Sequence, residues 1–500
     1  MSSSIEEGET AERYLEIGGR KLQRQDFNGA VEAFRRYVEL RPGDPGAHNN
    51  LGAALLLGRQ IEAAIAAFET AAALDANCHR PLVNLGKALR EAGRPAEAIA
   101  RLRRALSLVP DDVGALVNLG DALAASGDLP AAQATLERAS SLAPALPETQ
   151  RSLAIARLQA GRVAESIALL RAALRFAPQH AGLHCCLHEV LFAAGEWQQA
   201  WPHFEWRFQP HEGRTPLERP RGLPQWDGGV QPGREVWLLG EQGLGDQIQF
   251  IRYAKLLEQS GLSCTISCDK RMVRALGRAG LRARIVARGA PVDTPGACWA
   301  PLMSLPAYHR TRPDNVPYPG GYLTDDAARV ARWQELLSPV QRPRVAVAWS
   351  GNPSMEAGRH VGRSFPLPAL TPLLAVGGVR FMSLQKGHGS AQADSEPFRS
   401  SLLRFEGFDP DPDAFVDTAA ILRCVDLLIT SDSAIAHLAG ALGVKTWLCL
   451  HSDPDWRWQR AGTTTPWYSS LRLFRQQRPG DWASVFEQVA AELRAELARQ

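Results

Sequence analysis

The chain has 500 residues, 45% of them hydrophobic and 22% charged, with a formal net charge of +3. That length exceeds one ordinary core and predicts about three domains, and a balance so near neutral gives no general reason to expect a nucleic-acid partner. No apolar run approaches the roughly 18 residues a membrane helix needs, and MSSSIEEGET at the start has neither region of a signal peptide. The eight cysteines form no C-x-x-C pair, and Cys424 and Cys449 sit inside apolar segments, so they read as buried hydrophobes in a reducing, cytoplasmic setting.

After a flexible N-terminus over residues 1–10, residues 11–207 read as a helical repeat. Pro110, Pro144 and Pro178 follow helical stretches 34 residues apart; Pro42 lies two periods earlier and Ala76 fills the missed position. Leu51-Gly52, Leu85-Gly86 and Leu119-Gly120 share the period, with Ile17-Gly18 in phase before them. Ala30, Ala64, Ala98 and Ala132 are each followed four residues later by a large apolar side chain: Phe34, Phe68, Leu102 and Leu136. Small residues at fixed offsets let two helices approach, and the larger ones fill the gap. The pattern resembles the tetratricopeptide repeat, with about five full copies over 11–180 and a degenerate sixth over 181–207. It predicts a right-handed helical solenoid.

The first helices of such an array line a concave face. Asn50, Asn84 and Asn118 recur there, each just before the Leu-Gly pair. Asparagine costs about half a kcal/mol or more against alanine in a helix, while its amide can pair with both the N–H and the C=O of an extended peptide. It reads either as a peptide ladder or as a tolerated residue on a solvated face. The array resembles the asparagine ladder of O-linked N-acetylglucosamine transferases, which implies a protein held in the groove.

Residues 208–234 are rich in Pro, Gly and charge and read as a linker. Strand candidates follow at 236–240, 264–268, 344–349, 379–384, 425–430 and 446–450, alternating with helical stretches near 246–259, 270–279, 324–337, 417–424 and 432–443. This alternation predicts parallel sheets in two α/β lobes, 235–338 and 339–478, with ligands at the carboxyl ends of the strands. A final helix over 479–500 is expected to cross back and brace the lobes.

Four turns carry candidate chemistry. In EQGLGDQIQFIRY (241–253), Gly243 and Gly245 allow close backbone approach, and Asp246 is either a helix cap or a carboxylate facing a ligand. Position 248 is Ile where the dinucleotide fingerprint has glycine, so NAD is disfavoured. In TSDSAIAHLAGALG (430–443), a helix beginning near Asp432 offers free N–H groups to phosphate, with hydroxyls from Ser431 and Ser433. Asp432 would cap that helix or accept from sugar hydroxyls, and His437 is either structural or faces the ligand. After the strand RVAVAW come Ser350, Gly351 and Asn352, then a loop with Arg359, His360, Arg363 and Ser364 whose cations suit a phosphate leaving group. Gln385 and Lys386 follow a further strand and read as contacts to base, ribose or phosphate. The Asp-x-Asp spellings in 408–415 and 452–456 lie in Pro-interrupted loops, and His184, Cys185, Cys186 and His188 lie in repeat phase, so no metal site is expected.

EWRF (205–208), EQGLGDQIQFIRY, PLMSLP (301–306), AWSGNP (348–353), RSFPL (363–367), SLQKG (383–387), DTAAIL (417–422), TSDSAIAHLAGALG, PDWRW (454–458) and RLFRQ (472–476) together resemble bacterial repeat-bearing proteins with a second half like glycosyltransferase family 9. That family is related to the lipopolysaccharide heptosyltransferases and has the GT-B fold of two Rossmann-like lobes. The resemblance implies that Asp246 is the base, in an acceptor-side first lobe. It places the Asp-x-x-x-x-His element of the donor side on Asp432 and His437. The family's loop lysine has its nearest match in Arg363, a departure from the pattern. The expected activity is metal-independent, inverting sugar transfer from a nucleotide sugar to a protein such as flagellin, without a cofactor. A non-catalytic scaffold and a glycolipid transferase, with Arg-rich 274–289 facing a membrane, are the alternatives.

Overall fold

The computed structural model describes residues 2–209 (side chains from Thr10 onward), 220, 222–231, 233–292, 294–353, 356, 362–410 and 413–499. Arg359 and His360, and residues 210–219, 221 and 232 of the 208–234 linker, lie outside the described residues. Two compact units divide after Val190.

The first unit is a stack of antiparallel helix pairs: α1 Ser2–Gln23 with α2 Phe27–Leu40, α3 Pro45–Leu57 with α4 Ile61–Leu74, α5 His79–Glu91 with α6 Pro95–Leu108, α7 Val113–Ala125 with α8 Leu129–Leu142, and α9 Pro147–Gln159 with α10 Val163–Phe176. α1 begins at Ser2, inside the stretch that reads as a flexible terminus. α4 ends at Leu74 on schedule although Ala76 replaces proline, so packing of the next pair sets the stop as well. A left-handed residue recurs between the helices of each of these five pairs, at Gln25, Arg59, Gly93, Gly127 and Gly161, and again at Gly195 of the second unit, all with φ between 59° and 88°.

The two periodic residue sets prove to be halves of one contact. A Cβ on Gly18, Gly52, Gly86 or Gly120 would lie 2.6, 2.6, 2.4 or 2.4 Å from Phe34, Phe68, Leu102 or Leu136 respectively. Ala30, Ala64, Ala98 and Ala132 are fully buried beside them. Close-packed interiors tolerate no extra atom there.

The second unit starts inside helix α11 (Ala181–Ala193). Helix α12 (Trp197–Phe204), which keeps the repeat phase, belongs to it. Its sheets are both parallel. β1 Glu235–Leu239, β2 Ser263–Cys268, β3 Arg284–Ala287 and β4 Cys298–Pro301 are ordered β3-β2-β1-β4; β5 Arg344–Ala348, β6 Arg380–Ser383, β7 Leu427–Ser431, β8 Thr446–Leu450 and β9 Leu471–Arg475 are ordered β6-β5-β7-β8-β9. All six expected strands are present, and β3, β4 and β9 are additions. In each sheet the strand order reverses once, between β1 and β4 and between β5 and β7, which are the points where α/β folds bind ligands.

The lobes are fastened by Arg252, fully buried on helix α14 (Arg252–Gln259), which follows α13 (Leu244–Phe250). It donates to the carbonyl of Trp467 at 2.8 Å and to the Tyr322 hydroxyl at 3.2 Å, and lies over the rings of Tyr322 and Tyr468. The final helix runs over Trp482–Leu497. Its Trp482, Phe486, Val489 and Leu493 join the core of the second sheet with Phe365 and Trp447. Among the described residues no helix is long and apolar enough to cross a membrane.

Candidate active site

The first element is the turn after β1. Gln242 takes φ 54°, Gly243 caps α13, and Asp246 is the third residue of that helix. Asp246 reaches back to accept from the Gly243 N–H at 2.8 Å, half of a capping box. Gly245 has a different task from cradling phosphate: a Cβ there would lie 2.7 Å from the His437 ring. Its missing side chain lets α13 lie against the helix Ala434–Leu442 of the other lobe.

The second element is the turn after β7. Asp432 is buried, and Arg363 donates to its carbonyl at 2.6 Å while its Nε stands 3.4 Å from Oδ2. Among the described residues Oδ2 accepts no hydrogen bond, and the buried Ser431 hydroxyl has no hydrogen-bond partner. Such groups want a ligand or water. Ser433, the N-cap, donates to the Ser431 carbonyl at 3.4 Å. His437 shares a hydrogen bond of 3.0 Å with the Tyr468 hydroxyl and stacks on Trp458. Burial, and next the charge of Arg457, push its pKa down to about 3, so it is neutral at physiological pH.

The residue that sequence reasoning missed is Arg457. It is 7% exposed and joins the lobes: Nε donates to Gln249 Oε1 at 2.6 Å, Nη1 to Asp455 at 2.9 Å, and Nη2 to Asp246 Oδ1. Both oxygens of Asp246 are thus engaged. Burial raises the Asp246 pKa, opposed by Arg457 and by the Gly243 N–H. The signal available was PDWRW itself, an arginine between two tryptophans.

A second network fixes the approach to the turn. Arg207 makes a two-pronged bond to Glu241 at 2.9 and 3.0 Å and donates to Ser304 at 2.8 Å, and Ser304 donates to Glu205 at 2.8 Å. EWRF, EQGLGD and PLMSLP therefore meet at one point. Beside it, Trp456 stacks on Phe192 at 4.1 Å and Trp467 on Trp197 at 5.3 Å, so the repeat-phased segment buttresses Arg457 from behind.

The remaining expected donor contacts divide. Gln385 is a staple: its Oε1 accepts from the N–H groups of Trp349 and Ser350, and its Nε2 donates to the carbonyls of Ser350 and His388. Lys386 donates to the Phe408 and Asp409 carbonyls. Gln385 thereby ties the β6 turn to the β5 turn, and Lys386 ties the β6 turn to the 408–409 segment. Gly351 donates to Ser364 Oγ at 2.9 Å and faces Ser433, which keeps the Ser350-Gly351 turn beside the Ala434 helix; Asn352 is exposed there. Of the Asp-x-Asp spellings, Asp409 caps Asp417 and Thr418, Asp413 pairs with Arg274, Asp453 with Arg460 and Asp455 with Arg457. His184 shares a hydrogen bond with the Pro178 carbonyl.

In the first unit, the first helices α3, α5, α7 and α9 also touch one another along the stack. Asn50, Asn84 and Asn118 lie on α3, α5 and α7, all half-buried, and Asn84 donates to Asn49 of the preceding repeat at 2.9 Å.

Sequence models of the tetratricopeptide repeat match residues 15–77 and 89–155, so the chain carries tetratricopeptide repeats. Protein FlbA of Caulobacter vibrioides is 27% identical over 366 residues, covering 68% of this chain and 60% of FlbA. The chain thus spans about three-fifths of that relative's length, and the match is longer than the helical repeats, so it runs into the α/β unit. Among solved structures, MamA is 24% identical over 34% of this chain and 94% of its own, with a TM-score of 0.30. A thermophilic repeat protein of Thermus thermophilus is 23% identical over 36% of this chain and 98% of its own, at 0.34. TM-scores this low carry no argument about function.

Proposed function

We propose that the chain is a metal-independent, inverting glycosyltransferase that moves a sugar from a nucleotide sugar to a protein held by its repeats. One observation carries this reading: the turns after β1, β5 and β7, at the strand-order reversals of two parallel sheets, bring Asp246, Arg363, Asp432 and His437 into one charged cluster. Asp246 is the base for the acceptor hydroxyl. Arg363 and the N-terminus of the Ala434 helix meet the leaving phosphate. Asp432 Oδ2, which faces Arg363 but accepts no hydrogen bond among the described residues, accepts from a sugar hydroxyl. Asn50 and Asn118 grip acceptor backbone, and Asn84 joins them by releasing Asn49. The eight free thiols fit a cytoplasmic location.

The engaged state of Asp246 favours one competing reading, a non-catalytic scaffold in which the ion pair with Arg457 only locks the lobes. Arg274, Arg278 and Arg288 of the Arg-rich stretch are engaged by Asp413, Asp326 and the Gly240 carbonyl, which gives a glycolipid acceptor no support. A panel of nucleotide sugars separates the two main readings. A transferase releases free nucleotide slowly from one donor by hydrolysis, and Asp246→Asn lowers that rate at least about tenfold; binding with no release at any enzyme concentration favours the scaffold.

A further inference from the structure

The transferase reading leaves one feature unused: the base it names is not free. Asp246 is held from behind by Gly243 and from the facing lobe by Arg457, and Arg457 in turn touches Asp455 and Gln249. The charged groups around Asp246 come from every element packed there. Arg457 and Asp455 follow β8, Arg363 follows β5, Asp432 follows β7, and His437 stands on the Ala434 helix. On its own side, Glu241 is already neutralised by Arg207. With His437 neutral, Asp246, Asp432, Asp455 and Glu356 face Arg363 and Arg457 among the described residues, so carboxylates outnumber guanidinium groups there before any donor arrives.

That balance changes in a definite way during transfer. The acceptor oxygen bonds to the anomeric carbon and gives its proton to the Asp246 carboxylate. The bond from that carbon to the donor phosphate breaks, and its electron pair stays on the phosphate oxygen. One negative charge has left Asp246 and one has appeared on phosphate. A guanidinium held chiefly by Asp246 and Asp455 is then released from the first and drawn to the new anion.

Resting on the transferase reading, we propose that Arg457 is a positioning residue of that reaction, fixing Asp246 as an ionised carboxylate until the acceptor proton arrives and then turning toward the leaving phosphate. The fork shape of arginine suits both tasks, since it binds carboxylate and phosphate with the same geometry. Trp456 and Phe250, whose rings lie 4.9 and 5.5 Å from the guanidinium carbon, give it a track along which to move.

The test follows thermal unfolding of the full chain against pH for wild type, Arg457→Gln and Arg457→Lys, each beside its Asp246→Asn counterpart. The difference within each pair isolates Asp246. A carboxyl raised by the fold adds stability that is complete below its ordinary value of 3.8 and is lost as pH rises through the folded value. Removing the guanidinium should move that loss upward by about 1–3 pH units, and lysine should restore part of the shift. The acidic limb of sugar transfer should move with it, by the same amount and in the same order of variants. An Asp246-dependent transition at the same pH in wild type and Arg457→Gln overturns the proposal. Should the glutamine variant not fold, the lysine variant decides alone: an upward shift supports the proposal and no shift overturns it. A shift in the unfolding data with no transfer by any chain contradicts the transferase reading, while the hold of Arg457 on Asp246 stands.

Discussion

Asp246 shows what a single residue reveals in sequence and what it hides. Its place after a glycine turn, and the pairing of Asp432 with His437 five residues on, were legible because they are local. Its partner was not, because Arg457 lies 211 residues away in a Pro-interrupted loop, and only the meeting of two sheets brings them together. Gly245 was legible as a residue of close approach but not as to what approaches, which is the His437 ring. Gln385 and Lys386 stay ambiguous for the opposite reason: amides and ammonium groups at strand ends serve ligands and neighbouring carbonyls equally well. His437 yields a residue-scale prediction. A histidine whose folded pKa is depressed adds stability that is complete above its ordinary value of 6.5 and is lost as pH falls toward about 3. His437→Gln should therefore flatten the acid side of the stability profile in that window, measured by chemical denaturation at stepped pH. An unchanged acid slope contradicts the buried, neutral imidazole.

At the scale of elements, period outlasts punctuation. The repeat was readable from Pro, Leu-Gly and Ala sets, and its helices keep the 34-residue spacing even where proline is missing. What spacing did not reveal is which sets touch: each phase glycine admits the large residue 16 positions later. Gly86→Ala should destabilise the chain by about 1–3 kcal/mol despite alanine's better helix propensity, because Leu102 is fully buried and its Cγ would stand 2.4 Å from the new Cβ. Gly43→Ala, with nothing within 4 Å, should be neutral or stabilising by up to about 1 kcal/mol. Denaturant midpoints of the two variants give the comparison, and equal effects contradict the packing account. α12 carries the converse lesson. It keeps repeat phase, yet its Trp197, Trp201 and Phe204 pack on Trp456 and Trp467, because phase records ancestry of a pattern and burial records the neighbour. The strands β3, β4 and β9 escaped notice for want of a long apolar run: RIVA is flanked by arginines, CWAP ends in proline and LRLFR alternates.

For the whole molecule, the proposed function assigns two kinds of ligand: an extended polypeptide to the repeats and a nucleotide sugar to the α/β unit. The similarity to FlbA, over 366 residues, is longer than the helical repeats. A transferase acting on protein needs both, and neither alone explains why the chain carries the other. The direct measurement is the intact mass of proteins co-expressed with the wild-type chain and with Asp246→Ala. The account predicts a discrete sugar-sized increment on at least one protein beside wild type, absent beside the variant. Partners retained by the repeats but unchanged in mass beside both chains would contradict it.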